Sequence, residues 1–168
     1  VKVMHDGGPG RQWKLDAAVD TVAQLANRDF KQAKLMFSAA ACANCHAIRG
    51  EGGAVGPDLT QLGTRFSKRD ILEAIIDPNK TISDQYASTV FTLKDGSSVM
   101  GKLVREENGQ YFISQNPFAP QQVRQLEKKL VVSTSLAKVS MMPPGLINQM
   151  NPERLRDLMA YLISGGNE

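Results

Sequence analysis

Ala41-Cys42-Ala43-Asn44-Cys45-His46 is the stretch from which the fold of this chain can be worked out. Two cysteines separated by two residues, with a histidine directly after the second, have the spacing used for covalent attachment of c-type haem. The two thiols would form thioethers with the haem vinyl groups, and His46 would supply the proximal nitrogen to the iron. The motif therefore predicts one covalently attached haem c, held by Cys42, Cys45 and His46.

Three other interpretations of this motif stay open from the residues alone. A structural zinc site normally uses four Cys or His ligands, whereas the sequence has two cysteines and two histidines, and His5 lies in a polar, glycine-rich tail. A thioredoxin-like redox pair is expected in a strand–helix–strand unit, and the flanks here are helical and glycine-rich. A plain disulfide would leave His46 unexplained. Haem attachment is the interpretation that gives all three residues a role.

The segment that follows the motif has a composition that would let its backbone lie close to a flat cofactor. It contains four glycines within residues 50–56, which allow a close approach of the backbone. Pro57 keeps its carbonyl, which we expect to accept the Nδ1–H of His46 and so to fix the tautomer of the ligand. Leu59 is expected to pack on the porphyrin.

Helical periodicity is found on both sides of the motif. Apolar residues recur at helical spacing near the N-terminus and again at the C-terminal end of the chain. The expected N-caps are Asn27 or Asp29, Ser67, and Asn151, the last followed by a proline at the first helical position. The predicted helices cover residues 15–26, 30–40, 68–76 and 152–164.

A block with strand periodicity interrupts this helical pattern at about residues 85–135. Asp95-Gly96 and Asn108-Gly109 are strong hairpin turns between alternating segments. The predicted strands are residues 86–93, 98–105, 111–114, 123–126 and 130–133, forming a small antiparallel sheet or open barrel. The predicted organisation is a tail and short helix over residues 1–26, then one domain over residues 27–168 that carries this β insertion.

One methionine is the best candidate for a second axial ligand. Met142 directly precedes Pro143-Pro144, and a stiff loop can hold a weak thioether ligand at a low entropic cost. Met141 and the distant His5 are the alternatives. Packing is the simpler role for the methionines within helices, within a strand or before a helix cap, namely Met36, Met159, Met100 and Met150.

The composition excludes several classes of protein. Apolar residues make up 42% of the chain and charged residues 22%, as in an ordinary globular domain, and no apolar run approaches the length of a membrane span. The net charge of +3 comes without a basic tract interleaved with aromatic residues, so nucleic acid is a poor candidate partner. The chain begins at Val1 without a signal peptide, and we therefore expect a mature or excised fragment.

The motifs taken together resemble class I cytochromes c, through CxxCH, Gly56-Pro-Asp-Leu, Met142-Pro and the final Leu158-Met-Ala-Tyr-Leu helix. A closer resemblance is to the haem-binding domain of the planctomycete and verrucomicrobial type. It rests on residues 27–30, 52–59, 77–86, 93–96, 142–146 and 160–166. The resemblance implies a mainly α, class I-like cytochrome c fold, with His46 proximal and Met142 distal.

The resemblance also implies a function and a setting. We expect a periplasmic or otherwise extracytoplasmic mono-haem domain that carries single electrons and is not itself an enzyme. In this family such a module commonly follows a propeller-type dehydrogenase-like region, so the partner is a redox protein or a fused dehydrogenase domain. A homodimer through the β insertion is a further possibility. The alternative function is a haem-based gas sensor or peroxidase-like enzyme in which the distal ligand is displaced.

Overall fold

The computed structural model describes Met4 and residues 8–167. Within these residues the chain forms five α-helices, a two-stranded sheet and a five-stranded sheet. Its backbone divides into two compact units, Val1–Lys80 with Pro143–Glu168, and Thr81–Met142. The helices belong to the first unit, and the five-stranded sheet makes up most of the second. The structure thus combines helices, which cover 31% of the chain, with a five-stranded antiparallel sheet inserted between them.

The helices begin where the sequence supplies side-chain caps. Asp29 accepts a hydrogen bond from the Gln32 backbone N–H, and Asn151 accepts one from the Arg154 N–H. Ser67 and Asp70 form a reciprocal capping box. These predicted helix starts are confirmed. The helices are α1 (Leu15–Thr21), α2 (Phe30–Ala39), α3 (Leu62–Arg65), α4 (Lys68–Ile76) and α5 (Pro152–Ser164).

Helix α1 is shorter than predicted, because it ends at Thr21 and not at Ala26. Its last carbonyls find partners outside the helix. Arg156 Nε donates to the Thr21 oxygen at 2.8 Å, and Lys68 Nζ donates to the oxygens of Val22 and Ala23 at 3.0 and 2.9 Å. These cations satisfy carbonyls that a longer helix would have bonded internally, so a tertiary contact ends the helix.

The core of the first unit lies where α2 and α5 pack together. Ala33 and Met36 of α2 are buried, and Tyr161 of α5 packs against Phe30 and Phe37 with ring-centroid distances of 5.7 and 5.4 Å. Three methionines predicted to have packing roles are fully buried, which confirms the prediction for Met36, Met150 and Met159. Trp13 is buried too, and its Nε1–H donates to the Met150 oxygen at 3.1 Å, so the N-terminal segment is attached to the body of this unit.

The second unit contains an open antiparallel sheet of five strands, which follow the strands β1 (Ala47–Ile48) and β2 (Glu51–Gly52) of the first unit along the chain. Its core is formed by Phe91, Val99, Ile113 and Leu126. Asn108 and Gly109 both have positive φ, of 50° and 73°, in the turn that joins the second and third of these strands. The strands are β3 (Thr89–Leu93), β4 (Ser98–Glu107), β5 (Gln110–Ser114), β6 (Val123–Glu127) and β7 (Val131–Leu136).

Parts of the strand prediction are wrong. Residues 86–88 precede β3, because Tyr86 and Ala87 both donate to the Ser83 oxygen in a turn. The last strand begins at Val131 and continues to Leu136, past the predicted end at Ser133. The sheet does not close into a barrel within the part of the chain that the structure describes. Met100 on β4 is 44% exposed, so the packing role predicted for it is also wrong.

Candidate functional site

The CxxCH segment begins directly after α2. Ala41 takes a left-handed conformation with φ 61°, which turns the chain out of the helix, and Cys42–Asn44 form a single 3₁₀ turn. The backbone N–H groups of Cys45 and His46 both donate to the Cys42 oxygen, at 3.1 and 2.9 Å. The two cysteines and the histidine are therefore held within one compact turn at the end of α2, a helix with one buried face.

His46 is oriented by one hydrogen bond. Its Nδ1 lies 2.8 Å from the Pro57 oxygen, the contact expected from the sequence. Since a carbonyl can only accept, Nδ1 carries the proton and Nε2 keeps its lone pair. Nε2 has no hydrogen-bond partner among the described residues. Burial lowers the pKa of His46, opposed by the Pro57 bond, so the ring is neutral at pH 7, the form that binds a metal.

The loop after the motif folds back over the motif itself. Strands β1 (Ala47–Ile48) and β2 (Glu51–Gly52) form a short hairpin. The N–H groups of Gly53 and Gly56 then donate to the oxygens of Ala43 and Cys45 at 2.9 and 2.8 Å. A Cβ on Gly53 would collide with the Asn44 oxygen, so only glycine allows this approach.

Gly56 lies directly against the imidazole of His46. A Cβ at this position would be 2.6 Å from Cε1, 2.8 Å from Nδ1 and 3.2 Å from Nε2 of the ring. The missing side chain lets the Gly56 backbone support the flat face of the ring. Gly56 and Pro57 together fix the position and the rotation of the candidate ligand.

The two thiols have the protonation state of inert cysteines. Burial raises the pKa of the Cys42 thiol to about 12 and also raises the pKa of Cys45. Neither cysteine forms a disulfide, both are partly buried, and both are thiols at neutral pH. Redox-active pairs instead depend on thiolates stabilised by neighbouring positive charge. Protonated thiols beside a neutral imidazole are a donor set that fits thioether attachment and axial ligation by nitrogen.

The cytochrome c family model matches residues 30–107 of the chain, which include the whole CxxCH segment. This stretch of the chain is similar to the cytochrome c family. A cytochrome c domain contains a covalently bound haem c, and such domains are generally electron carriers. No curated protein matches the chain. The finer resemblance to the planctomycete and verrucomicrobial type stays a prediction.

The cytochrome c match ends at Glu107, the last residue of β4, before the methionine pair proposed from the sequence. Met141 and Met142 are partly buried, and the N–H of Met142 donates to Ser140 Oγ at 3.1 Å. Leu59 is also partly buried, and its N–H donates to the Ala47 oxygen at 2.8 Å. His5, the other distal candidate, lies outside the described residues.

Arg49 is a structural residue of the first unit that was not identified from the sequence. It sits in the β1–β2 turn with φ 53°, and its N–H donates to Thr60 Oγ1 at 2.8 Å. Its Nε donates to the Gly165 oxygen at 3.1 Å, at the end of α5. The hairpin is thereby fastened to the C-terminal helix. The Arg49-Gly50 pair is a sequence signal for a turn. The hydrogen bond from Arg49 to Gly165 has no such signal, because the two residues are 116 positions apart.

No group of three or more His, Cys, Asp or Glu side chains within the described part of the chain could hold a metal ion. None of the helices in that part has both the length and the apolar character required to cross a membrane.

Proposed function

We propose that the chain is a mono-haem c-type cytochrome domain that carries single electrons, with Cys42 and Cys45 as the thioether residues and His46 as the proximal ligand. The observation that carries the proposal is the hydrogen bonding of the two ring nitrogens of His46. Its Nδ1 is hydrogen-bonded to the Pro57 oxygen, and no described residue bonds to its Nε2, within a turn that also holds two protonated thiols. When bound, the haem iron supplies a one-electron couple between the ferric and ferrous states.

Pro57 and Gly56 set the properties of the proximal ligand. A hydrogen bond from Nδ1–H to a carbonyl makes Nε2 more basic and prevents rotation of the ring. Leu59, whose backbone is bonded to Ala47, is proposed to cover part of the porphyrin and keep water away. These residues tune the affinity and the potential of the site without transferring a proton.

Met142 is proposed as the distal ligand. Pro143-Pro144 follow it and restrict the backbone on its C-terminal side. On its N-terminal side its own N–H is held by Ser140 Oγ. A thioether is a weak ligand, so it stays bound only where the segment carrying it loses little entropy on binding. A thioether ligand raises the reduction potential, which suits an electron carrier.

The setting that we propose is extracytoplasmic. Cytochrome c domains are typically found outside the cytoplasm and transfer electrons to redox partners. We propose a periplasmic location, with a separate redox protein or a fused dehydrogenase domain as the partner, within a larger redox protein. A homodimer through the inserted sheet stays a prediction.

Spectra of the protein made in a host competent for cytochrome maturation test the ligand set. We expect red protein with a weak near-infrared sulfur-to-iron band when oxidised, and no spectral change when CO is added to the reduced form. Met142→Ala should lose the band and bind CO, whereas the matched control Met141→Ala should keep the wild-type behaviour. The measurement is the visible and near-infrared absorption of all three proteins.

The possible outcomes separate the parts of the proposal. Colourless protein would refute haem attachment. A Met142→Ala spectrum equal to the wild type would keep the haem and refute Met142 as the ligand. Immediate CO binding by the wild-type protein would refute the carrier role and indicate a gas sensor or a peroxidase-like enzyme with an open distal face.

A further inference from the structure

Strand β7 is an edge of the five-stranded sheet that lacks the usual protection against pairing. It is the last strand in the order β6-β5-β4-β3-β7, and residues 132–136 are all exposed. Val132 and Leu136 expose 58% and 52% of their surface. The strand, Val-Val-Ser-Thr-Ser-Leu, contains no charge and no proline. Natural edge strands usually carry charged residues or proline, because these discourage pairing with another chain.

The opposite edge has that protection. Strand β6 carries Arg124 and Glu127 among its five residues, and both are exposed. Because β6 carries charged residues and β7 carries none, an added strand is expected to pair with β7 and not with β6.

The backbone of β7 presents hydrogen-bonding groups on its outer side. Ala137, just after the strand, donates its N–H to the Ser88 oxygen, and Ser135 and Ser133 pair with Val90 and Thr92. Because the direction of backbone groups alternates along an antiparallel strand, the N–H groups of Thr134 and Leu136 point away from β3. An added strand can pair with these groups without disturbing the existing sheet.

The charges at the two ends of β7 indicate what kind of strand fits. Lys128 and Lys129 precede the strand and Lys138 follows it. Lys129 is 77% exposed and forms a 2.7 Å ion pair with Glu127 that leaves most of its side chain in solvent, and Lys138 is exposed as well. A second copy of β7 laid antiparallel would bring Lys129 of one copy near Lys138 of the other. The positive charges of the two lysines would repel each other and oppose the pairing of two copies of β7. The ends of β7 therefore favour a partner strand with acidic ends.

We propose that β7 is a docking edge for an extended segment of another protein, in which uncharged β-branched residues lie between acidic residues. The segment adds to the sheet as a sixth strand, through backbone hydrogen bonds to Thr134 and Leu136. Its acidic ends face Lys129 and Lys138. This inference is independent of which residues bind the haem.

Titration calorimetry with two synthetic peptides tests the proposal on the whole haem-loaded chain. The first peptide, acetylated and amidated DDVTVTVTDD, should bind, and the second, KKVTVTVTKK, should bind at least tenfold more weakly. Amide hydrogen exchange measured by mass spectrometry should slow in residues 131–136 when the acidic peptide is added. Absence of binding by the acidic peptide, or equal binding by both peptides, would overturn the proposal.

Two sets of variants locate the contact. Thr134→Pro removes an outward N–H while leaving the β3 hydrogen bonds, so it should weaken binding of the acidic peptide at least tenfold. Thr134→Val keeps the N–H and should bind like the wild type. Circular dichroism and haem content check the fold of each variant. Binding that survives in a folded Thr134→Pro variant refutes β7 as the edge.

A charge-reversal variant keeps the test valid if the proline variant does not fold. Lys129→Glu with Lys138→Glu should invert the preference, so that the basic peptide binds more tightly. An unchanged preference would refute the role of these lysines. Sedimentation tests whether the unmodified chain self-associates. Self-association that Thr134→Pro abolishes would identify a second copy as the occupant of β7 and overturn the proposal.

Discussion

At the scale of single residues, the absence of a side chain at Gly56 matters as much as the presence of His46. A methyl group there would lie 2.6 Å from Cε1 of the imidazole, too close for any real contact. Gly56→Ala should therefore displace the ring, weaken its bond to Pro57 and destabilise the haem-loaded protein by about 1–3 kcal/mol. Denaturant unfolding followed by haem absorbance measures the stability, and the visible and near-infrared spectra report the ligand.

Gly96→Ala is the control for that substitution. Gly96 has φ 84°, and a Cβ there meets nothing within 4 Å, so alanine costs only backbone strain. We expect some loss of stability from this control but an unchanged haem spectrum. A Gly56→Ala protein with the stability and the spectrum of the wild type would show that the imidazole does not depend on this contact.

At the scale of elements, local chemistry was predictable and distant contacts were not. Asp29, Ser67 and Asn151 were predicted as caps because each cap is a contact over three residues. The bond between His46 and Pro57 was predicted because it spans only 11 residues and both groups belong to a short motif. The end of α1 was not predicted, since it depends on Lys68, which lies more than 40 residues along the chain.

The termination of α1 gives a prediction at the same scale. Lys68→Met keeps the length of the side chain but removes its hydrogen bonds to the oxygens of Val22 and Ala23. We expect a loss of about 1–2 kcal/mol in the free energy of unfolding and faster amide exchange in α1. Lys31→Met, at an exposed position on α2, is the control and should change neither quantity. Equal effects of the two substitutions would contradict the assignment of Lys68 as the cap.

At the scale of the whole molecule, the two units differ in what stabilises them. The sheet has its own apolar core in Phe91, Val99, Ile113 and Leu126. The first unit contains the CxxCH turn and the glycine-rich loop, which has few apolar side chains of its own. A group that binds only the folded state adds its binding free energy to stability, so the haem stabilises the unit that holds the motif.

The contribution of the haem to the stability of each unit can be measured by producing the same chain with and without cytochrome maturation. In the haem-free chain, amide protection should fall at least tenfold in α2 and α5 and stay within about twofold in strands β3 to β5, because the sheet keeps its core without the cofactor. Hydrogen exchange followed by mass spectrometry measures the protection of the helices and of the strands in the same sample. Equal loss of protection in helices and sheet would mean that the two units unfold together and that the haem stabilises the whole chain. Protection retained everywhere would mean that the CxxCH turn is formed without the cofactor and gains no stability from it.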